Sequence, residues 1–185
     1  MPQIVVGYAA VFFRAGDAGT TFALPSGETE RIAVGAFDKT LADGHNITAT
    51  FAHLDRLALG STADGSLSLS ADATGLAFRL TLPESAAGER VAELVQAGQV
   101  RACSIRFDEA GTRSRRVREG GRAFVELADI QLEHISIGPD PAYRSTCVRL
   151  AEDAADDLRS AGWRDALIGE ANRANSLVEA GEQLF

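Results

Sequence analysis

The sequence predicts a mainly β fold with flanking helices, an α+β protein organised on an antiparallel sheet or barrel. Three observations lead there. Apolar residues alternate with period two in several short runs, tight-turn residues separate those runs, and helical spacing is concentrated at residues 88–97 and after residue 150.

Bulk composition bounds the function without naming it. The 185 residues are enough for one domain with a real core and an appended segment, and 45% hydrophobic with 24% charged residues is ordinary for a globular chain. A formal net charge of −8 argues against a protein that tracks nucleic-acid backbones, which needs clustered cations to displace counterions. Only two cysteines occur, Cys103 and Cys147, and neither stands in a spacing that holds zinc. They read as two reduced thiols, with no metal and no cofactor expected. The apolar run at residues 4–11 has no basic segment before it and falls well short of the roughly 20 residues that span a bilayer. A cytoplasmic protein that does not engage membranes is therefore expected.

Residues 4–13 are rich in Ile, Val, Tyr and Phe and stop at Gly16 and Gly19, which predicts a buried first strand and a turn. Residues 16–29 read as a Gly-, Thr- and Pro-rich loop. In 30–41 a short strand precedes one or two helical turns, with Phe37 and Leu41 four apart on one face. His45, inside Asp43-Gly44-His45-Asn46, sits among turn formers and is expected to be solvated. From residue 47 to 53 the alternation places Ile47, Ala49, Phe51 and His53 on one side and Thr48 and Thr50 on the other.

Residues 57–69 and 75–82 read as strands joined through Gly65 and an Asp72 turn, with Leu67, Leu69, Leu76, Phe78, Leu80 and Leu82 at period two. Pro83-Glu84-Ser85 is a helix start. The helix runs over residues 88–97 on a stripe of Val91, Leu94 and Val95, and Gly98 ends it. It feeds directly into a strand at 100–107. Residues 108–121 hold Arg113, Arg115, Arg116 and Arg118 without apolar period and are a mobile loop or a polar hairpin; one of these arginines is a candidate for reaching an anionic intermediate. Alternation resumes at 123–137 and breaks at Gly138-Pro139-Asp140-Pro141. Beyond Leu150 the Ala-, Glu-, Asp- and Arg-rich texture predicts a helical tail, so the expected division is a β domain at 1–150 and a tail at 151–185.

Three stretches carry candidate chemistry. Ser104 stands mid-strand in Val100-Arg101-Ala102-Cys103-Ser104-Ile105-Arg106-Phe107, His53 ends its alternating run, and Glu133 with His134 lies in Leu132-Glu133-His134-Ile135-Ser136. A serine nucleophile, a histidine base and an orienting group are the parts of an acyl-transfer site. Cys103 is the competing nucleophile, but adjacent strand residues face opposite sides, so only one of Cys103 and Ser104 faces the histidine. An esterase elbow is disfavoured, because Ala102-Cys103-Ser104-Ile105-Arg106 lacks its flanking glycines and a following helix.

Taken in order, several segments resemble the prohead proteases of tailed bacteriophages. They are Gly7-Tyr8-Ala9-Ala10-Val11-Phe12, then Glu30-Arg31-Ile32-Ala33-Val34-Gly35-Ala36-Phe37-Asp38 with Leu41, and His53 with Leu59-Gly60. They continue as Gly75-Leu76-Ala77-Phe78, the Gly98 to Phe107 stretch, and Leu132 to Ile137 closing on Pro141-Ala142-Tyr143. The resemblance implies a fold similar to herpesvirus assemblins, an antiparallel β-barrel wrapped by helices. It also implies a serine endopeptidase acting on a major capsid protein or scaffold precursor, and on itself, inside the procapsid of the host cytoplasm, with self-association. Carried onto this chain, the nucleophile is Ser104 and the base His53. Glu133 takes the acidic position of the family's Glu-hydrophobic-Ser pattern, while assemblins use a second histidine, for which His134 is the alternative; Glu133 is favoured. Cys103 and Arg106 depart from the pattern, where glycines are common. The rival reading is a catalytically inactive scaffold or capsid-assembly module on the same barrel.

Overall fold

The computed structural model describes residues 2–151, and the expected helical tail lies outside them. Ten strands and two α-helices follow in the order β1 (Ile4–Val11), β2 (Thr21–Ala23), β3 (Thr29–Ile32), α1 (Asp38–Ala42), β4 (Thr48–Phe51), β5 (Leu54–Ser61), β6 (Leu67–Ala71), β7 (Gly75–Thr81), α2 (Ala86–Gln96), β8 (Ala102–Glu119), β9 (Arg122–Gly138) and β10 (Cys147–Leu150). The mainly β reading holds. The short strands β2 and β10 were not legible, being three and four residues long inside loop-like composition.

The strands divide into two sheets. One has the order β10-β1-β7-β6, antiparallel throughout. The other runs β2-β3-β9-β4-β5, with β8 paired along β9. A single closed barrel, which the family resemblance implies, is not formed, because β5 and β6 each end a sheet instead of pairing. The reason is local. Ser61 N donates to Ser66 Oγ at 2.9 Å and Ser66 N to Asp64 Oδ1 at 2.8 Å, so side chains take backbone donors that a β5–β6 hairpin needs. One hydrophobic cluster draws on both sheets, with Val5, Tyr8, Phe78 and Leu80 from the first and Ala49, Leu132, Ile135 and Ile137 from the second. Where β1 meets β10 the approach is tight enough that a Cβ on Gly7 would lie 2.0 Å from the Cys147 carbonyl oxygen.

Helix α2 matches its sequence signals closely. Ser85 caps it by accepting from Gly88 N at 3.3 Å, Val91, Ala92 and Val95 are buried, and Gly98 adopts φ +67° just past its end. It delivers the chain to β8. The stretch left open as a loop or hairpin is a hairpin, closed by Gly120 and Gly121 at φ +57° and +78°.

Strand β9 is the spine of the second sheet. β8 occupies one edge along its length, while β3 and then β4 pair in parallel with the other edge, at Phe124–Leu127 and His134–Ile137. Between those two pairings the chain leaves to form α1, so on that edge the middle of β9 lacks a neighbouring strand. Its buried polar groups must still be met. Ile130 N donates to Ala36 O at 2.8 Å, Leu132 N to Thr40 Oγ1 at 3.1 Å, and the Leu132 carbonyl lies 2.6 Å from His45 Nε2. His45 is thus tied to the sheet, contrary to the solvated turn residue that its neighbours in sequence suggest.

Candidate active site

Across β8, β9 and β4 the register aligns rows of side chains. Ser104 opposes Ser136, which opposes Thr50, and Arg106 opposes His134, which opposes Thr48. The alternate row is apolar: Cys103, Ile137 and Phe51, then Ile105, Ile135 and Ala49. Since successive strand residues face opposite sides, one face feeds the core and the other carries hydroxyl and imidazole groups. Cys103 belongs to the core face, 1% exposed, and burial pushes its thiol well above the usual range. It supplies no thiolate at neutral pH, whereas Ser104 lines a surface cleft.

A bulge sets the phase of β9. Arg106 opposes His134 and the next residue, Phe107, opposes Leu132, which leaves Glu133 without a cross-strand partner. One extra residue reverses the alternation beyond it. Ile130 and Leu132 are core residues, as are Ile135 and Ile137, while His134 and Ser136 turn to the polar row. The spacing of three between Leu132 and Ile135, inside a run of period two, is the sequence mark of this bulge. Glu133 points outward, half exposed, with its carboxylate 3.3 Å from the Arg106 Nε.

His53 is held by a different device. It does not extend the β4 face as its alternation suggests; with Ala52 it forms the two-residue turn between the paired residues Phe51 and Leu54. Both turn residues have positive φ, 51° at Ala52 and 56° at His53. For residues with a Cβ this conformation costs about 1–2 kcal/mol each, and Asn-Gly is the usual choice here. Two hydrogen bonds hold it: Ala52 N donates to the Ile137 carbonyl at 2.9 Å and His53 N to Ser136 Oγ at 2.8 Å. Ser136, 1% exposed, is the serine of the Glu-hydrophobic-Ser pattern, and its hydroxyl has a positioning role that the sequence does not reveal.

The turn brings His53 Nδ1 to 2.9 Å from His134 Nε2. Of the two third-member candidates, His134 is the one beside His53; Glu133 makes no ion pair with either ring among the described residues. Burial, followed by the charge of Arg106, lowers the proton affinity of His53 below the ordinary imidazole value. His134 is lowered by burial, then by His53, then by Arg106. Two adjacent rings that resist protonation are both neutral near pH 7, with one N–H shared between them. Ala52, His53, Ser104, Ser136, Gly138, Pro139, Asp140 and Pro141 line a cleft of about 140 Å³ with Cys103 at its base. Ser104 and His53 share this cleft without a mutual hydrogen bond among the described residues. A serine and a neutral imidazole at one opening, the imidazole held by a second ring, suit acyl transfer.

The arginine-rich stretch is not part of this site. Arg113 opposes Asp129, seven residues along β9 from Ser136, which is a strand distance of about 23 Å at roughly 3.3 Å per residue. Its cations are engaged locally: Arg113 with Asp129, Arg115 with Glu126 at 2.6 Å and Arg116 with Glu28 at 2.9 Å. No arginine of this stretch lines the cleft, against the expectation of an oxyanion role.

Comparison with known proteins gives three results. A family model described as Caudovirus prohead serine protease matches residues 2–160. No curated protein sequence matches. Among solved structures, the KSHV protease in complex with a hexapeptide phosphonate inhibitor is 12% identical with a TM-score of 0.46, over 94% of this chain and 77% of that one. The varicella-zoster virus protease is likewise 12% identical with a TM-score of 0.46, over 92% of this chain and 77% of that one.

Proposed function

The chain belongs to the caudovirus prohead serine protease family, and from that premise we propose that it is an endopeptidase whose nucleophile is Ser104, general base His53 and orienting group His134. As a serine protease of capsid maturation it acts in the assembling procapsid of the host cell. No helix among the described residues is long and apolar enough to cross a membrane.

The observation that carries the residue assignment is the 2.9 Å contact between His53 Nδ1 and His134 Nε2, His53 lining the same cleft as Ser104. In the attacking step His53 Nε2 removes the Ser104 proton as Oγ adds to the peptide carbonyl, while Nδ1–H donates to His134 Nε2. That bond fixes the tautomer. The suppressed proton affinity of both rings keeps the base free and the acceptor neutral at the same pH. On collapse of the tetrahedral adduct the His53 proton passes to the leaving amine, leaving an acyl-Ser104 ester for water to hydrolyse.

Capsid and scaffold precursors are the substrates this reading names, with the chain's own tail as a further one. Coexpression of the cognate capsid precursor with the full chain tests it. Ser104→Ala is expected to reduce cleavage about 10⁴-fold or more while the far-UV CD spectrum stays that of wild type. Undiminished cleavage refutes the assignment. Intact mass of the wild-type chain beside Ser104→Ala reports self-cleavage directly.

A further inference from the structure

The donor that completes the open edge in the middle of β9 has a charge requirement of its own. His45 Nε2 faces the Leu132 carbonyl at 2.6 Å, and His45 Nδ1 faces the Asp43 carboxylate. Carbonyl and carboxylate oxygens only accept, so both ring nitrogens donate and the ring is an imidazolium. The electrostatics agree in direction: Asp43, followed by the Leu132 carbonyl, raises the proton affinity of His45 above the ordinary imidazole value. Asp43 is fixed in turn by accepting from His45 N at 3.0 Å. Leu132, 0% exposed, is the residue immediately before the Glu133 bulge, and His134 is two residues on. A buried carbonyl left without a donor is destabilising, and a strand shift that finds it a new one slips the bulge that sets the direction of His134.

We propose that His45 is a positioning residue for the reaction: by donating to the Leu132 carbonyl while anchored on Asp43, it pins the β9 bulge that aims His134 at His53. The inference rests on the reading of His134 as the orienting group. It gives the Asp43-Gly44-His45-Asn46 turn a part in catalysis although the turn lies outside the cleft. The chain leaves the sheet after β3 and returns at β4, and His45 holds the opening between them in the one phase that serves the site.

The test compares His45→Ala with His45→Gln, whose amide N–H can still reach a carbonyl, in the full chain. His45→Ala is expected to slow cleavage of the cognate capsid precursor by about 10- to 100-fold, the scale of a small misplacement at a reacting centre. His45→Gln is expected to stay within about threefold of wild type, because the donor is retained. The ring nitrogens of His134, followed by NMR and assigned through His134→Gln, should shift in His45→Ala and return in His45→Gln; lower stability alone does not move them in molecules that remain folded. A wild-type rate with unmoved His134 signals in His45→Ala overturns the proposal. If His45→Ala does not fold, His45→Phe, which keeps the ring volume and removes both nitrogens, serves the same purpose, and an unchanged rate with unmoved signals there also overturns it. The underlying reading is tested separately by His134→Gln. Full activity in that variant removes the orienting role and this inference with it, whereas a slow His134→Gln beside a full-rate His45→Ala removes the positioning role alone.

Discussion

At one end of the β8–β9 ladder Ser104 faces Ser136 across the strands, and two imidazoles sit 2.9 Å apart with their protonation suppressed by burial. At the other end the same two strands carry full charges in pairs: Arg115 on Glu126, Glu126 on the buried Arg31, and Arg31 4.3 Å from the centre of the Phe13 ring and 4.7 Å from that of Phe124. The backbone pattern is common to both ends. What differs is whether polar groups are satisfied by opposite charge or left short of a proton. The charged end pairs Arg115 and Arg31 with carboxylates, while the other end holds two rings whose protonation burial opposes. On the proposed reading, one β-hairpin serves as scaffold over one half and reaction site over the other, with the bulge at Glu133 between them.

Glu126→Ala should separate the two ends most clearly. It removes one of the two carboxylates on a guanidinium whose side chain is 7% exposed; Glu119 stays paired with it, so the loss is that of hydrogen bonds to a charged group, about 1–3 kcal/mol. The denaturation midpoint is expected to fall accordingly, while the folded fraction cleaves at the wild-type rate; a matching fall in its specific activity would mean the ends are coupled. Ser136→Ala acts at the neutral end. It leaves the His53 N–H without its acceptor in a left-handed turn, a loss of about 1–3 kcal/mol, and kcat is expected to drop about tenfold with little change in KM. Equal activity would show that the turn holds without that hydroxyl.

The smallest effect belongs to Arg106→Gln. Arg106 lowers both rings, so its removal should raise their proton affinities and move the acidic limb of the pH–rate profile upward toward the ordinary histidine range. An unmoved limb would exclude Arg106 as a tuning charge. The accompanying stability change has a definite sign. Rings whose affinity is lower in the folded state contribute nothing adverse above about pH 6.5 and destabilise as pH falls below it, and Arg106→Gln narrows that loss. His45 behaves oppositely, because its raised affinity stabilises at low pH and the contribution is lost as pH rises through the folded-state value.

Much of this was legible in the sequence. Period-two runs located β4, β7 and β9, apolar richness ended by glycines located β1, and short apolar runs located β3 and the start of β8, while residues 57–69, read as one strand, are the end of β5, a turn and β6; Ser85 and Gly98 bracketed α2; and the division of Cys103 from Ser104 followed from strand alternation alone. Those features depend on contacts within a few residues, which is the range over which side-chain periodicity and capping act. His53 was legible as a residue but not as a conformation, since Ala52-His53 carries none of the glycine or asparagine that marks such a turn.

The chain by itself determined most of the strands and which hydroxyl stands in one of them. Only the tertiary structure decided the rest: that β3 and β4 flank β9 in parallel, that two sheets form without closing, and that His134 instead of Glu133 stands beside His53. These are matters of register between segments up to about a hundred residues apart, where a shift of one residue exchanges the faces of a strand. The energies that choose among such registers come from hydrogen bonds like His53 to Ser136 and His45 to Leu132, whose partners are remote in sequence and adjacent only in the folded chain.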